Sequence, residues 1–166
     1  YPAALTTLWL GLLNSDAEIE ITGESEQNKT YRIVGDPTEG ALVVAAAKAG
    51  AIPVEIKEAY PRENEIPFDS ERKRMITIHD VRAPRAHDPS PFVDEQHKNW
   101  DVIAVKGAPD VVLELCTQYQ GMDDKHRPLD DAARERILAA NDALTKDALR
   151  VLGVAYRVAK DVPDDP

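Results

Sequence analysis

Leu5, Leu8, Trp9 and Leu12 recur at helical spacing and predict an amphipathic helix ending near Gly11 to Asn14. The period then falls to two. In A-E-I-E-I-T-G-E-S-E-Q-N-K-T-Y-R-I-V, two alternating runs flank a polar, glycine-containing turn and predict a β-hairpin. G-D-P-T-E-G-A-L-V-V-A-A-A-K-A-G predicts a helix, with Asp36 as cap, Pro37 in the first turn, Glu39 three residues after the cap and Gly50 closing the far end. Its interior is apolar nearly all round, which predicts a buried helix. N-E-I-P-F-D-S-E-R-K-R-M-I-T-I-H-D-V reads as strand, turn, strand, and Pro67 keeps the first strand at an edge or near its end. N-W-D-V-I-A-V-K-G is a further strand leading into A-P-D-V-V-L-E-L-C, a helix with proline in its first turn.

Residues 128–149 predict a long helix whose buried stripe is Leu129, Ala133, Ile137, Ala140, Leu144 and Ala148. R-V-L-G-V-A-Y-R-V-A is the last strand, before the tail D-V-P-D-D-P. Residues 82–99, with three prolines and mixed charge, predict a surface loop insertion. Strands and helices mix without a regular βαβ alternation. The fold class is therefore α+β, a mainly antiparallel twisted sheet flanked by helices, in a single domain over residues 1–166.

Composition narrows the function. The chain of 166 residues is 43% hydrophobic and 30% charged, ordinary for a globular fold, and its 5% aromatic content predicts a mainly aliphatic core. A net charge of −10 argues against a nucleic-acid partner, which would need a basic stripe. No run approaches the roughly 20 apolar residues of a membrane span, so no direct membrane contact is expected. One cysteine, Cys116, makes no internal disulfide and fits a reducing compartment. The chain opens on an apolar helix without an initiator methionine, which suggests a piece of something larger.

Four short stretches each admit two readings. In V-K-G-A-P-D, Lys106 beside Gly107 offers a cation with close backbone approach, or is a solvated lysine next to a turn. In F-D-S-E-R-K-R-M, Phe68 and Met75 flank a basic hairpin tip at Ser70 to Lys73. They could hold a planar base near its phosphates, or sit in the core beside a tip that blunts aggregation. G-D-P-T-E-G is accounted for by helix capping, although Glu39 could also reach an amino group on a base. Arg150, opening A-L-R-V-L-G-V-A-Y-R, is either a helix-end cation or a second positive group for phosphates. His79, His87, His97 and His126 have no partner at metal-ligand spacing. Asp123/Asp124 and Asp130/Asp131 read as loop and helix-start charges, Cys116 as core, and neither a G-x-x-x-x-G-K-[ST] nor a G-x-G-x-x-G loop occurs.

Taken in order, the four stretches resemble the nucleotide-binding domain of P-type cation-transporting ATPases, most closely the type II branch of calcium, sodium/potassium and proton/potassium pumps. The resemblance covers roughly residues 31 to 157. It implies that Phe68 stacks on adenine, Lys73 lies by the nucleotide and Met75 lines the pocket. It further implies Lys106 deep in the adenine pocket, with Gly107 and Ala108 allowing close approach, and Glu39 hydrogen-bonding near the adenine amino group. Arg150 would face the phosphates and Leu152 would pack near the base. Ser70 stands where calcium pumps often carry a phosphate-facing arginine, which shifts that contact toward Arg72 or Lys73.

The string I-T-G-E-S, Ile21 to Ser25, matches a motif of the same family's actuator domain but is read here as a hairpin turn. D-K-T-G-T, which carries the phosphorylated aspartate of these pumps, does not occur. The implied ligand is ATP, as Mg-ATP in the whole pump, and the implied partners are the phosphorylation and actuator domains on the cytoplasmic face of a membrane. The domain by itself would hold no catalytic or metal-binding residue and would not hydrolyse ATP. The competing reading is a non-enzymatic protein-interaction domain.

Overall fold

Proline, whose fixed φ and missing N–H suit the first helical turn, begins four helices: α1 (Pro2–Leu13), α2 (Pro37–Lys48), α3 (Pro53–Ala59) and α4 (Pro109–Glu114). A fifth, α5 (Asp131–Lys146), begins instead on the Asp130 side chain, which accepts from Ala133 N at 2.8 Å. The computed structural model describes residues 1–23, 28–81, 88–89, 91–92, 100–160 and 162. Its strands are β1 (Glu18–Thr22), β2 (Thr30–Val34), β3 (Arg62–Asp69), β4 (Arg74–Asp80), β5 (Asp101–Gly107), β6 (Gln118–Gln120), β7 (His126–Pro128) and β8 (Gly153–Ala159).

All pairings are antiparallel. The main sheet runs β3-β4-β5-β8, with β1-β2 and β6-β7 as separate hairpins, so the α+β class is observed. β3 is an edge strand with register shifts on both sides of Asn64 to Ile66, which accommodates Pro67. Of I-T-G-E-S, Ile21 and Thr22 close β1, whereas Glu24 and Ser25 lie outside the described residues. His87 and His97 also lie outside them. Among the described residues no helix is long and apolar enough to cross a membrane.

Register decides which side chains share a face, because directly paired residues point the same way. Met75, Lys106 and Val154 are one such row, and Thr77, Ala104 and Tyr156 the next. This face packs under α1, α2 and α3 to form the core. The core is mainly aliphatic, as expected, with three aromatic residues at its centre. Trp9, Tyr60 and Phe92 form a cluster with ring centroids 4.6 to 6.2 Å apart. Phe92 belongs to the stretch expected as a surface loop, yet Asp88, Pro89, Pro91 and Phe92 are all buried, and Tyr60 Oη donates to the Asp88 carboxylate. The rest of 82–99 lies outside the described residues.

Three helices depart from their sequence pattern. Trp9 to Leu13 is buried on every side of α1, so that helix is amphipathic only in its first half. α2 is fully buried only at Gly40, Val43 and Ala46, because its neighbours cover one stripe and leave the other small apolar residues half-exposed. α5 is shorter than the expected 128–149, leaving Leu129 before it and Ala148 after it; of the stripe only Ala133 is buried, Leu129 and Ile137 are half-buried, and Ala140, Leu144 and Ala148 are exposed. The contact of α5 with α4 is made at its first turns, where Arg134 Nη1 donates to Leu113 O at 2.8 Å.

Candidate functional site

A cavity of about 560 Å³ opens where four pieces of chain converge: the start of α2, the end of β3 with the following turn, the junction of β5 with α4, and the loop before β8. Eight of the expected residues line it: Glu39, Phe68, Lys73, Lys106, Gly107, Ala108, Arg150 and Leu152. Met75 does not. It is 2% exposed, pairs with Lys106 across β4 and β5, and is buried on the core face. Asp36, Thr38, Pro109 and Val151 also line the cavity and were not anticipated. Asp36 and Thr38 flank Glu39 in one motif, so their adjacency was the available signal. Ser70 and Arg72 are absent from the lining, which leaves Lys73 as the turn's contribution.

The start of α2 is fixed by Asp36, whose carboxylate accepts from Thr38 N at 2.8 Å and Glu39 N at 3.2 Å. Those backbone donors hold the Asp36 carboxyl below its ordinary range, with a minor contribution from Arg150. The second half of a capping box is not formed. Glu39 Oε2 instead accepts from Asp16 N at 2.8 Å and Ala17 N at 3.2 Å, and Oε1 pairs with Lys106 Nζ at 2.7 Å. The loop between α1 and β1 thus supplies the backbone donors to the Glu39 carboxylate.

Lys106 is not a solvated lysine. It is 7% exposed, and its ammonium also donates to Asn14 O and, at 3.4 Å, to Ser15 Oγ. A buried ammonium is tolerable only when paired and hydrogen-bonded, and Glu39 and the α1–β1 loop supply both. Phe68 presents the opposite case, an aromatic ring 62% exposed on the cavity wall. Arg150 lies in the loop before β8 and donates to Thr38 Oγ1 at 3.0 Å, linking two walls of the cavity. The lining carries the cations Lys73, Lys106 and Arg150 and the carboxylates Asp36 and Glu39. This local balance is positive in a chain of net charge −10.

Gly107 lines the cavity and also has a job in packing. A Cβ there would lie 2.5 Å from Lys73 O and 2.8 Å from Arg74 Cβ, so the missing side chain admits the hairpin turn itself. Lys73 has φ +52, and its carbonyl accepts from Ala108 N at 3.0 Å, locking the turn onto the β5–α4 junction. The turn is braced by Asp69, whose carboxylate accepts from Glu71 N and Arg72 N, bonds that hold its carboxyl below the ordinary range. Gly107→Ala is expected to cost about 1–3 kcal/mol through overpacking and to displace Lys73. Calorimetric melting and the backbone amide shifts of residues 69–74 check both.

The other candidates stay apart from the cavity. His126 Nε2 and Tyr156 Oη are 2.9 Å apart on the β6–β7 side. Asp123 is paired with Arg127 at 2.7 Å. Cys116 follows α4, its Sγ donates to Val112 O at 3.2 Å, and partial burial pushes its thiol up. No group of three or more metal-capable side chains occurs among the described residues.

A family model described as P-type ATPase, cytoplasmic domain N, matches residues 6–165. The chain is 36% identical over 159 residues to a "Probable cation-transporting ATPase F" of Mycobacterium tuberculosis, covering 96% of this chain. It is 34% identical over 141 residues, 85% of this chain, to "Calcium-transporting ATPase 1" of Lactococcus lactis. It is 33% identical over 155 residues, 92% of this chain, to a "Calcium-transporting ATPase" of Bacillus subtilis. The aligned segment is only 14–15% of the length of those relatives.

Proposed function

The chain belongs to the family of P-type ATPase cytoplasmic N domains, and from that premise we propose that it binds ATP by its adenosine end. The γ-phosphate would then face a neighbouring phosphorylation domain of the same parent chain, with the actuator domain as a further partner. The parent would be a membrane pump that hydrolyses Mg-ATP to move a cation, and this domain would lie on its cytoplasmic face.

One observation carries the reading. An exposed aromatic ring, a buried lysine–glutamate pair and two further cations converge on a single cavity within the size range of small-ligand sites. A flat base can stack on Phe68. At the floor, Lys106 can exchange its long 3.4 Å contact with Ser15 Oγ for an acceptor on a base edge, and the Glu39 carboxylate beside it can accept from an amino group. Lys73 and Arg150 suit a phosphate chain, Arg150 because its planar fork matches phosphate oxygens. Leu152 and Val151 supply apolar cover. Phosphoryl transfer is chiefly positioning and electrostatic stabilisation around metal-bound phosphate. The cavity residues provide the positioning, and the chain contains no D-K-T-G-T acceptor.

Titrating ATP into labelled protein is expected to move the resonances of Phe68, Lys106 and Arg150 together. Lys106→Ala should weaken binding at least roughly tenfold, the loss of one hydrogen bond from a charged group. The chain alone should show no ATP turnover in proportion to its concentration. Unmoved resonances at millimolar ATP would rule out the nucleotide reading and leave the interaction-domain alternative.

A further inference from the structure

We propose that Asn14, a residue outside the cavity, is the positioning residue that holds Lys106 and Glu39 in register for the ligand, an inference that rests on the nucleotide-binding reading. Asn14 caps the C-terminus of α1 and is 0% exposed. Its Nδ2 donates to Ala104 O at 2.9 Å, Thr77 Oγ1 at 3.0 Å and Met75 O at 3.4 Å. Two of those partners are carbonyls that only accept, which fixes which end of the amide faces the sheet. One side chain therefore clips α1 to both central strands, β4 and β5. The backbone carbonyl of the same residue accepts from Lys106 Nζ, two residues along β5 from the clipped Ala104. Its Oδ1, also buried, has no partner among the described residues.

A buried amide left half-satisfied is costly, and an apolar residue of similar shape would pack without that cost. Its retention is accounted for by what it holds. Among the described residues, the segment it anchors supplies the partners of the two charged side chains other than each other. Asn14 O and Ser15 Oγ take the ammonium, while Asp16 N and Ala17 N take the Glu39 carboxylate. Arg62 of β3 braces the segment from outside, donating to Leu13 O at 3.0 Å and Ser15 O at 3.3 Å and pairing with Asp16 at 2.6 Å. Asn14 and Ala104 are 90 residues apart in sequence. The pocket floor is thus set by the far end of the chain.

The test compares wild type, Asn14→Leu, Lys106→Met and the double variant by ATP titration, with thermal melting alongside. Asn14→Leu should melt near wild type and bind ATP roughly three- to tenfold more weakly, the scale of one net hydrogen bond. In the Lys106→Met background the same substitution should cost clearly less, because the share that passes through Lys106 is gone and only the share through Glu39 is left. Equal binding by Asn14→Leu, or an undiminished loss in the double variant, would overturn the proposal. If Asn14→Leu does not fold, Asn14→Ala, which removes all three amide contacts without adding bulk, is judged by the same criteria. A second measurement needs no nucleotide. In Asn14→Leu, NMR relaxation should show Lys106 Cε gaining mobility while the Met75 methyl stays rigid, and an unchanged Lys106 would refute the positioning role even if ATP proved not to be the ligand.

Discussion

Replacing Phe92 by alanine is expected to remove about 3–5 kcal/mol of stability, the usual range for a buried phenylalanine, whereas Phe68→Ala should shift stability by less than about 0.5 kcal/mol. These are the chain's two phenylalanines, and their surroundings are opposite. Phe92 is 0% exposed, 4.6 Å from the Tyr60 ring and 6.0 Å from Trp9. Truncating it opens a cavity among rings that cannot collapse together, and the melting midpoint should fall by roughly 10 °C for a domain of this size. Phe68 is 62% exposed on an edge strand, so it has little packing to lose. Its loss should be felt in binding. Stacking on an aromatic side chain is worth about 1–3 kcal/mol per base, or roughly five- to a hundredfold in ATP affinity. Melting curves and ATP titrations of the two variants should therefore cross. A Phe68→Ala protein that binds ATP normally would remove stacking from the proposed function.

The residues that were legible in sequence carry their signal locally. Asp36, Pro37 and Gly50 mark the limits of α2 through capping chemistry, and they do so in the fold. The four motifs placed eight residues on one cavity because each motif combines a turn residue with a ligand-type side chain. Where the reading failed, the deciding contact was distant. Glu39 fits a capping box by spacing, but Asp16 and Ala17 reach it from 23 and 22 residues away. Met75 is apolar in either role, and only its burial beneath the cavity lining places it in the interior. Phe92 lies in a proline-rich stretch with no periodicity to mark it. α3, seven residues long, and the three-residue strands β6 and β7 are too short for a periodic signal to register. The Ala140 and Leu144 side of α5 follows the helical pattern faithfully but is exposed among the described residues. Amphipathicity predicts a face that seeks cover, and the fold determines whether cover is present.

Lowering the pH from 6.5 to about 4 is expected to cost the fold about 3 kcal/mol through His79 alone. His79 is 2% exposed, and burial brings its imidazole down to about 4, with the Arg62 and Lys57 charges acting in the same direction and the Tyr60 hydrogen bond opposing them. Nδ1 lies 3.0 Å from Tyr60 O, which only accepts, so the neutral ring carries its proton on Nδ1. Nε2 is then an acceptor, and the Thr77 hydroxyl, 2.9 Å away, donates to it while accepting from Asn14 Nδ2. The unfolded chain takes up this proton near the ordinary value of 6.5, whereas the folded chain resists until about 4. Between those values the unfolded state binds more protons, so stability rises with pH and is lost as pH falls. The interval corresponds to about 3 kcal/mol at 1.36 kcal/mol per pH unit. The depressed carboxylates of Asp36, Asp69 and Asp123 act lower, since their stabilising effect is lost only as pH falls below the ordinary 3.8, for Asp123 toward about 2. A protonated ring would present Nε2–H to Thr77 Oγ1, which already accepts from Asn14, and the hydroxyl proton would lose its acceptor. The acid limb therefore begins at the clip beneath the cavity. Urea denaturation from pH 7 to pH 4 measures the slope, and His79→Gln should flatten it. A wild-type stability that stays level over that interval would show that His79 keeps its ordinary affinity for the proton in the folded chain.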